Sequence, residues 1–197
     1  MTRDPTGAPP TTTAARALAA RLSTLSRVVR GLVVLAVPVL VSIPVLLLLN
    51  PQMLFTLGVG QTAGMNLAHL AQGELTLATR ARMAGSVVPQ AIVALMLLWQ
   101  LWHLFGEYLR GTVFSARALQ CLSRFAWWLL ALSLAQPLSQ ALMSVAISWD
   151  NPPGQRVLLV TINSNDYALV LGALVFIAIA RVMREAARVA EENEGFV

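Results

Sequence analysis

The feature that most constrains this chain is a run of nineteen residues, Gly31 to Leu49, that contains no charge. Fourteen of the nineteen are Leu, Val or Ile. As an α-helix this run would measure about 28 Å, close to the thickness of a bilayer's hydrocarbon core. A cleaved signal peptide is the competing interpretation, but a polar leader of thirty residues precedes the run and no small-x-small site follows it. We therefore predict an uncleaved transmembrane helix.

Three further apolar runs follow the first. The four predicted spans are residues 31–49, 87–105, 125–149 and 167–183. The whole chain is 57% hydrophobic and 12% charged, with a mean hydropathy of +0.68. This balance excludes a disordered chain and argues against an ordinary soluble domain. We predict an all-α integral membrane protein, with a disordered cytoplasmic leader at 1–13 and a single four-helix domain at 14–197.

The positive charges predict the orientation of these helices. All fourteen are arginine, and with both termini inside, eleven lie on the inner side and three on the outer side. The outer three are Arg80, Arg82 and Arg156. The use of arginine without lysine suggests a GC-rich bacterial genome, so we expect a bacterial inner-membrane protein. The asymmetry follows the positive-inside rule and predicts that both termini lie in the cytoplasm. The arginines border apolar runs and form no single basic stripe, so direct nucleic-acid binding is not expected.

The connections between the spans carry several local signals. Gly111 is a candidate helix C-cap and Ser115 a candidate N-cap, with Phe114 and Leu119 placed to form a hydrophobic staple. Ala14 to Arg27 has an amphipathic pattern that can lie on the inner leaflet. On the outer side, the alternation of Leu75 and Leu77 and the run Val157 to Ile162 predict a small β element.

Enzyme motifs are absent, and we expect neither catalysis nor a cofactor. His103 and Glu107 stand one helical turn apart, but a metal site needs three or four ligands, and His69 is predicted on the opposite side. An interfacial ion pair is the simpler interpretation. A membrane-embedded enzyme remains a third functional class.

Polar residues within the third span form a second candidate site. Gln136, Ser139 and Gln140 occupy neighbouring positions around Pro137. Unpaired polar groups are costly in lipid, so these residues should face other helices. They can bond to those helices or line a cavity. No predicted span has a charge at its centre, which argues against proton-driven transport.

Arginines also follow the fourth span. Arg181, Arg184 and Arg188 share one helical stripe, and Arg181–Glu185 and Arg188–Glu192 are spaced as i, i+4 ion pairs. The stripe can act as an orientation signal that attracts anionic lipids. It can also dock a cytoplasmic partner. The candidate docking residues are Arg110, Phe114, Arg184 and Arg188.

Two motifs at corresponding topological positions point to a known family. One is the inner connection Tyr108 to Ser115 followed by the third span, and the other is Arg181 to Arg188 with the ending Glu191 to Val197. Together they resemble the bacterial domain-of-unknown-function 2975 family over roughly residues 27–197. The resemblance implies four spans and no assigned chemistry. Members are often encoded beside a small helix-turn-helix regulator of the Cro/C1 type, which implies such a regulator as a partner.

The sequence thus predicts a non-enzymatic regulatory or interaction protein that acts through its inner loop and C-terminal helix. Its expected partners are the lipid bilayer and a cytoplasmic helix-turn-helix regulator. The alternative function is a small transporter or channel subunit, whose pore would need a homo-oligomer because four helices enclose little space.

Overall fold

The computed structural model describes residues 11–56, 61–62, 65–66, 70, 75–110 and 115–194. Its elements are α1 (Thr11–Leu49), α2 (Pro51–Thr56), β1 (Gln61–Thr62), β2 (Met65–Asn66), α3 (Leu77–Leu109), α4 (Ala116–Ser148) and α5 (Ser164–Glu194). Four of the helices, α1, α3, α4 and α5, are long and apolar enough to cross a membrane. The predicted all-α, four-helix membrane architecture is confirmed.

The first helix is longer than the sequence predicts. Residues 11–13, expected to be disordered, and Ala14 to Arg27, expected as a separate surface helix, are continuous with the first span in α1. Nothing between Arg27 and Leu32 except Gly31 weakens the helix, and an isolated glycine costs only about 1 kcal/mol. The rest of the predicted leader, residues 1–10, lies outside the described residues.

The connection between α3 and α4 confirms one predicted cap. Ser115 has extended backbone angles (φ −67°, ψ 150°), and its hydroxyl accepts a hydrogen bond from the Ala118 N–H at 3.2 Å. α3 ends at Leu109, with Arg110 as its C-cap residue. Gly111 and Phe114 lie outside the described residues, so the predicted C-cap and staple stay predictions. At the other end of α3, the Thr76 hydroxyl accepts from the Thr79 N–H.

The predicted outer strands do not form where expected. Leu77 begins α3, and the run Val157 to Ile162 has no strand partner in the described part of the chain. The short antiparallel pair of β1 and β2 lies elsewhere, with Gln61 opposite Asn66. The Val157 run instead bonds to serines of α4: the Val157 N–H donates to Ser148 Oγ and the Leu159 N–H to Ser144 Oγ. These hydroxyls take the place of a neighbouring strand.

The four long helices form an open row, because α1 packs on α3, α3 on α4 and α4 on α5. No other pair of these helices packs extensively in the described residues. A closed bundle is therefore absent here, and α1 and α5 lie at the two edges. The main apolar core lies at the end where α4 terminates, and a smaller one lies near the start of α4. We call these the Asp150 end and the Arg110 end.

Charges delimit a slab that three of the helices share. No Asp, Glu or Arg lies between Arg30 and Leu49 in α1, between Arg82 and Glu107 in α3, or between Arg124 and Asp150 beside α4. These limits match in space: Arg30 lies over the Trp102 ring, and Arg82 contacts Asp150. Trp102 follows Arg82 by twenty residues, or about 30 Å of helix. We call this region the uncharged slab, and its thickness equals that of a bilayer core.

The fourth helix does not cross the whole slab. Asn165, the second residue of α5, donates its side-chain amide to Gln136 Oε1 at 3.3 Å. Gln136 lies twelve residues after Arg124 and fourteen before Asp150, so α5 begins near the middle of the slab. The segment before α5 is extended. Val157 and Leu159, two residues apart, bond to Ser148 and Ser144, which are four residues apart on α4. The fourth crossing is therefore an extended half followed by a helical half.

Candidate functional site

A groove at the Arg110 end lies between the first turns of α4 and the last turns of α5. Its volume is about 430 Å³. The α4 residues that line it are Ala116, Leu119, Gln120 and Ser123, and the α5 residues are Arg184, Ala187 and Arg188. The structure thus brings the two candidate docking residues of the C-terminal stripe, Arg184 and Arg188, against the start of α4. We call this site the arginine groove.

Close antiparallel packing of α4 and α5 positions the groove. The rings of Phe125 and Phe176 meet edge to face with their centroids 5.3 Å apart. The small residues Ala173 and Ala180 are fully buried on α5 and allow the helix axes to approach. Because both helices continue beyond this contact, their polar ends lie side by side. The groove is the space that remains where the side chains become larger and charged.

The two arginines of the groove differ in their electrostatic surroundings. Arg188 bridges two carboxylates of its own helix, Glu185 and Glu192, with the Glu192 contact at 3.0 Å. The predicted Arg188–Glu192 pair is confirmed. The predicted Arg181–Glu185 pair is wrong, because Arg188 occupies the Glu185 carboxylate from three residues away. Arg184 forms no ion pair within the described residues, so its charge is available to a bound group.

The groove has the chemistry of an anion-binding surface with an apolar floor. Leu119 and Ala187 supply apolar contact, Gln120 and Ser123 supply hydrogen-bonding groups, and the Arg184 guanidinium supplies a positive charge with forked donors. The first turn of α4 adds the positive end of a helix dipole. Such a surface can hold a carboxylate-bearing segment of another protein or an anionic headgroup.

The other candidates at this end are not part of the groove. Arg110 pairs with Glu107 at 3.0 Å, and its side chain is 71% exposed. Phe114 lies outside the described residues. His103 Nδ1 lies 2.9 Å from the Trp99 carbonyl oxygen and its ring contacts the Trp99 ring, so the structure does not join it to Glu107 in a metal site. No group of three His, Cys, Asp or Glu suited to a metal occurs among the described residues.

The predicted polar cluster lies at the middle of the slab, close to the start of α5. Gln136 accepts the hydrogen bond from Asn165, whereas Ser139 Oγ and Gln140 Oε1 are buried and have no partner in the described structure. Ser139 is 4% exposed. The cluster therefore faces protein, as lipid requires, but only one of its three members is bonded to a neighbouring element. The buried oxygens of the other two members, Ser139 and Gln140, remain unsatisfied within the described structure.

Sequence reasoning missed a polar network at the Asp150 end. Asp150 accepts hydrogen bonds from Thr79 Oγ1 at 2.5 Å and from Arg82, and both interactions lower the pKa of its carboxyl group. Nearby, Asn151 is buried and donates to the Leu70 and Gln155 carbonyl oxygens. The Asp-Asn pair directly after an apolar helix is a signal for a helix-ending network. Its partners lie about seventy residues earlier in the chain, where no local pattern shows them.

Comparison with known proteins gives one match. A family model described as "Protein of unknown function (DUF2975)" matches residues 71–196, which include α3, α4 and α5. α1 lies before the matched region. No curated protein and no solved structure matches the chain.

Proposed function

The chain belongs to the DUF2975 family of proteins of unknown function, and from that premise we propose that it is a non-enzymatic regulatory or interaction protein of the bacterial inner membrane. In this proposal the arginine groove holds a soluble cytoplasmic partner at the membrane surface. A small helix-turn-helix regulator is the candidate partner, because the family resemblance implies one. Binding would sequester that regulator or transmit a signal to it.

The observation that carries this proposal is the unpaired Arg184 beside an apolar floor. A lipid-orientation signal needs positive charge only, and it gains nothing from a shaped groove. An acidic amphipathic helix needs both features, because its apolar face can lie on Leu119 and Ala187 while a carboxylate meets Arg184. The occupant favoured by this chemistry is therefore an acidic helical segment of the partner.

The proposal requires the Arg110 end to face the cytoplasm. The supporting observation is the distribution of arginines in the sequence, with eleven on the side predicted to hold both termini and three on the other. Single cysteines placed at positions 61 and 155 should react with an impermeant thiol reagent in intact cells. Cysteines at positions 2 and 195 should be protected. The native Cys121 is first replaced by Ala, and labelling of positions 2 or 195 from outside would reverse the proposed orientation.

Co-purification tests the docking proposal. The tagged full-length protein is isolated from its host with native partners, and Arg184→Gln is compared with the wild type at low and high salt. Loss of a desolvated charge pair costs about 2 to 5 kcal/mol, so partner retention should fall at least tenfold. Arg156→Gln at the opposite end is the matched control and should retain the partner. Equal retention by both variants would refute docking at the arginine groove.

The alternative function, a small transporter or channel subunit, has support from a different region. The fourth crossing is broken at the middle of the slab, and discontinuous membrane helices commonly form ion and substrate sites. The row of four helices encloses no pore in the described part of the chain, so a transport path would require further copies of the chain. Sodium or solute flux in proteoliposomes distinguishes this alternative from docking, because docking predicts none.

A further inference from the structure

A buried carboxylate lies where the fourth crossing is broken. Asp166 is the third residue of α5 and is 3% exposed. Its Oδ2 accepts a hydrogen bond from the Asn163 N–H at 2.8 Å, which is one half of a capping box. Its neighbour Asn165 contacts Gln136 at the middle of the uncharged slab. Asp166 therefore lies at a depth where α1, α3 and α4 carry no charge.

The second carboxylate oxygen has no partner. Asp166 Oδ1 is buried and forms no hydrogen bond within the described structure, and no arginine pairs with this carboxylate there. Arg181, the next charge along α5, follows fifteen residues later, or about 22 Å away along the helix. A buried, uncompensated carboxylate is among the most unfavourable groups in a protein interior. Among the described residues, no cationic side chain pairs with it.

Further buried oxygen atoms without partners lie on α4, close to the residue that contacts α5. Ser139 and Gln140 follow Gln136 by three and four residues, so they lie one helical turn from the residue that contacts α5. Ser139 Oγ and Gln140 Oε1 are both buried and unpartnered. Two elements thus contribute three unsatisfied oxygens within about one helical turn of the Asn165–Gln136 contact, and the extended segment before α5 bonds to α4.

The donor set selects the class of ligand. It contains a carboxylate, an amide and a hydroxyl oxygen, and no nitrogen or sulfur ligand, which suits hard cations. One carboxylate is too little charge for a site dedicated to a divalent ion, whereas it neutralises a monovalent ion in full. The partial positive charge of the α5 N-terminus is about half a unit and leaves the site net negative.

We propose that Asp166, with Ser139 and Gln140, forms a binding site for a dehydrated monovalent cation of the Na⁺ class at the break in the fourth crossing. Asp166 supplies the charge, and the two α4 oxygens supply neutral ligands. The site does not depend on the arginine groove, so it can be present whether or not a partner docks there.

Binding of Na⁺ alone to the purified full-length protein in detergent tests the proposal. Equilibrium binding of radioactive sodium should saturate at one ion per chain. Thermal unfolding in NaCl should occur a few degrees higher than in choline chloride at equal ionic strength, because an ion that binds only the folded state stabilises it. Asp166→Asn keeps an oxygen for the Asn163 N–H and should lower sodium affinity at least tenfold.

Two matched variants guard against a general loss of structure. Asp150→Asn removes a carboxylate outside the slab and should leave sodium binding unchanged. Ser139→Ala removes one neutral oxygen without a bonded partner and should weaken binding less than Asp166→Asn does. The proposal is overturned if wild-type protein binds no sodium, if NaCl and choline chloride give equal melting temperatures, or if Asp166→Asn binds sodium as the wild type does. Stabilisation by acid alone, with no effect of sodium, would also overturn it.

Discussion

The two ends of the molecule use polar side chains in opposite ways. At the Asp150 end, Asp150, Asn151 and Ser148 are all bonded to other segments of the chain. At the Arg110 end, the ion pairs among the described residues each join residues of a single helix, and Arg184 forms no ion pair there. The contact of Arg30 with the Trp102 ring is the exception that joins α1 to α3. The contrast shows that one end uses most of its polar groups to hold segments together, while the other leaves the Arg184 charge available.

The largest expected effect tests the apolar core of the Asp150 end. Met83 is fully buried there among Leu47, Met143 and Ile147. Met83→Ala should destabilise the protein by about 2 to 5 kcal/mol, because it leaves a cavity that the packed helices cannot close. Thermal unfolding in detergent measures the effect. Leu35→Ala, at an exposed position of α1, is the control, and an equal loss in both variants would contradict the assignment of the core.

The next effect tests the bond between α4 and the extended segment. Ser148 is buried, and its hydroxyl accepts from the Val157 N–H at 3.0 Å. Ser148→Ala leaves that N–H unsatisfied and should cost about 1 to 3 kcal/mol. Ser164→Ala, which changes an exposed hydroxyl at the start of α5, should cost less. Equal melting temperatures for the two variants would show that Ser148 does not anchor this segment.

A smaller, pH-dependent effect is expected at Asp150. Its bonds to Thr79 and Arg82 lower the pKa of the folded-state carboxyl below the ordinary value of 3.8. This contribution to stability is complete above that value and is lost as the pH falls through the lower, folded-state pKa. Melting curves recorded between neutral pH and pH 3 should therefore show a steeper acid loss for wild type than for Asp150→Asn. If the melting temperatures of the two proteins fell equally with pH, Asp150 would not contribute to stability through these bonds.

The smallest effect on stability is expected at Arg184. This side chain is exposed and makes no ion pair among the described residues, so Arg184→Gln should change the free energy of unfolding by less than about 0.5 kcal/mol. The same variant should strongly reduce partner retention. A large loss of stability in Arg184→Gln would contradict the comparison of the two ends, because it would show that the Arg184 charge stabilises the fold.

Most of the fold follows from local patterns, whereas the depth of each helix does not. Uncharged apolar runs predict the four helices, and Ser115 predicts the start of α4, because transmembrane length and capping are local properties. The late start of α5 depends on how Asn165 meets Gln136 after packing. For the same reason, the sequence predicts no charge at the centre of any span. Asp166 lies one residue before the predicted fourth span, whereas the structure places it near the middle of the slab.

The candidate sites were predictable to different degrees. The stripe of Arg184 and Arg188 follows from helical spacing, and so does the grouping of Gln136, Ser139 and Gln140. The α4 side of the arginine groove could not be predicted, because it requires the antiparallel register of α4 and α5. Ser144 and Ser148 gave no signal either, since serines within an apolar helix commonly bond to their own backbone.

The open row also bears on how the protein is made. Each long helix after the first packs on the long helix that precedes it in the chain: α3 on α1, α4 on α3 and α5 on α4. During synthesis, each of α3, α4 and α5 therefore finds one packing surface already in place when it enters the membrane. α1, α3 and α4 each gain one further packing surface when the next long helix follows. Assembly can proceed stepwise from the N-terminus, and a truncation after α4 would remove the last layer without taking a partner from α1 or α3.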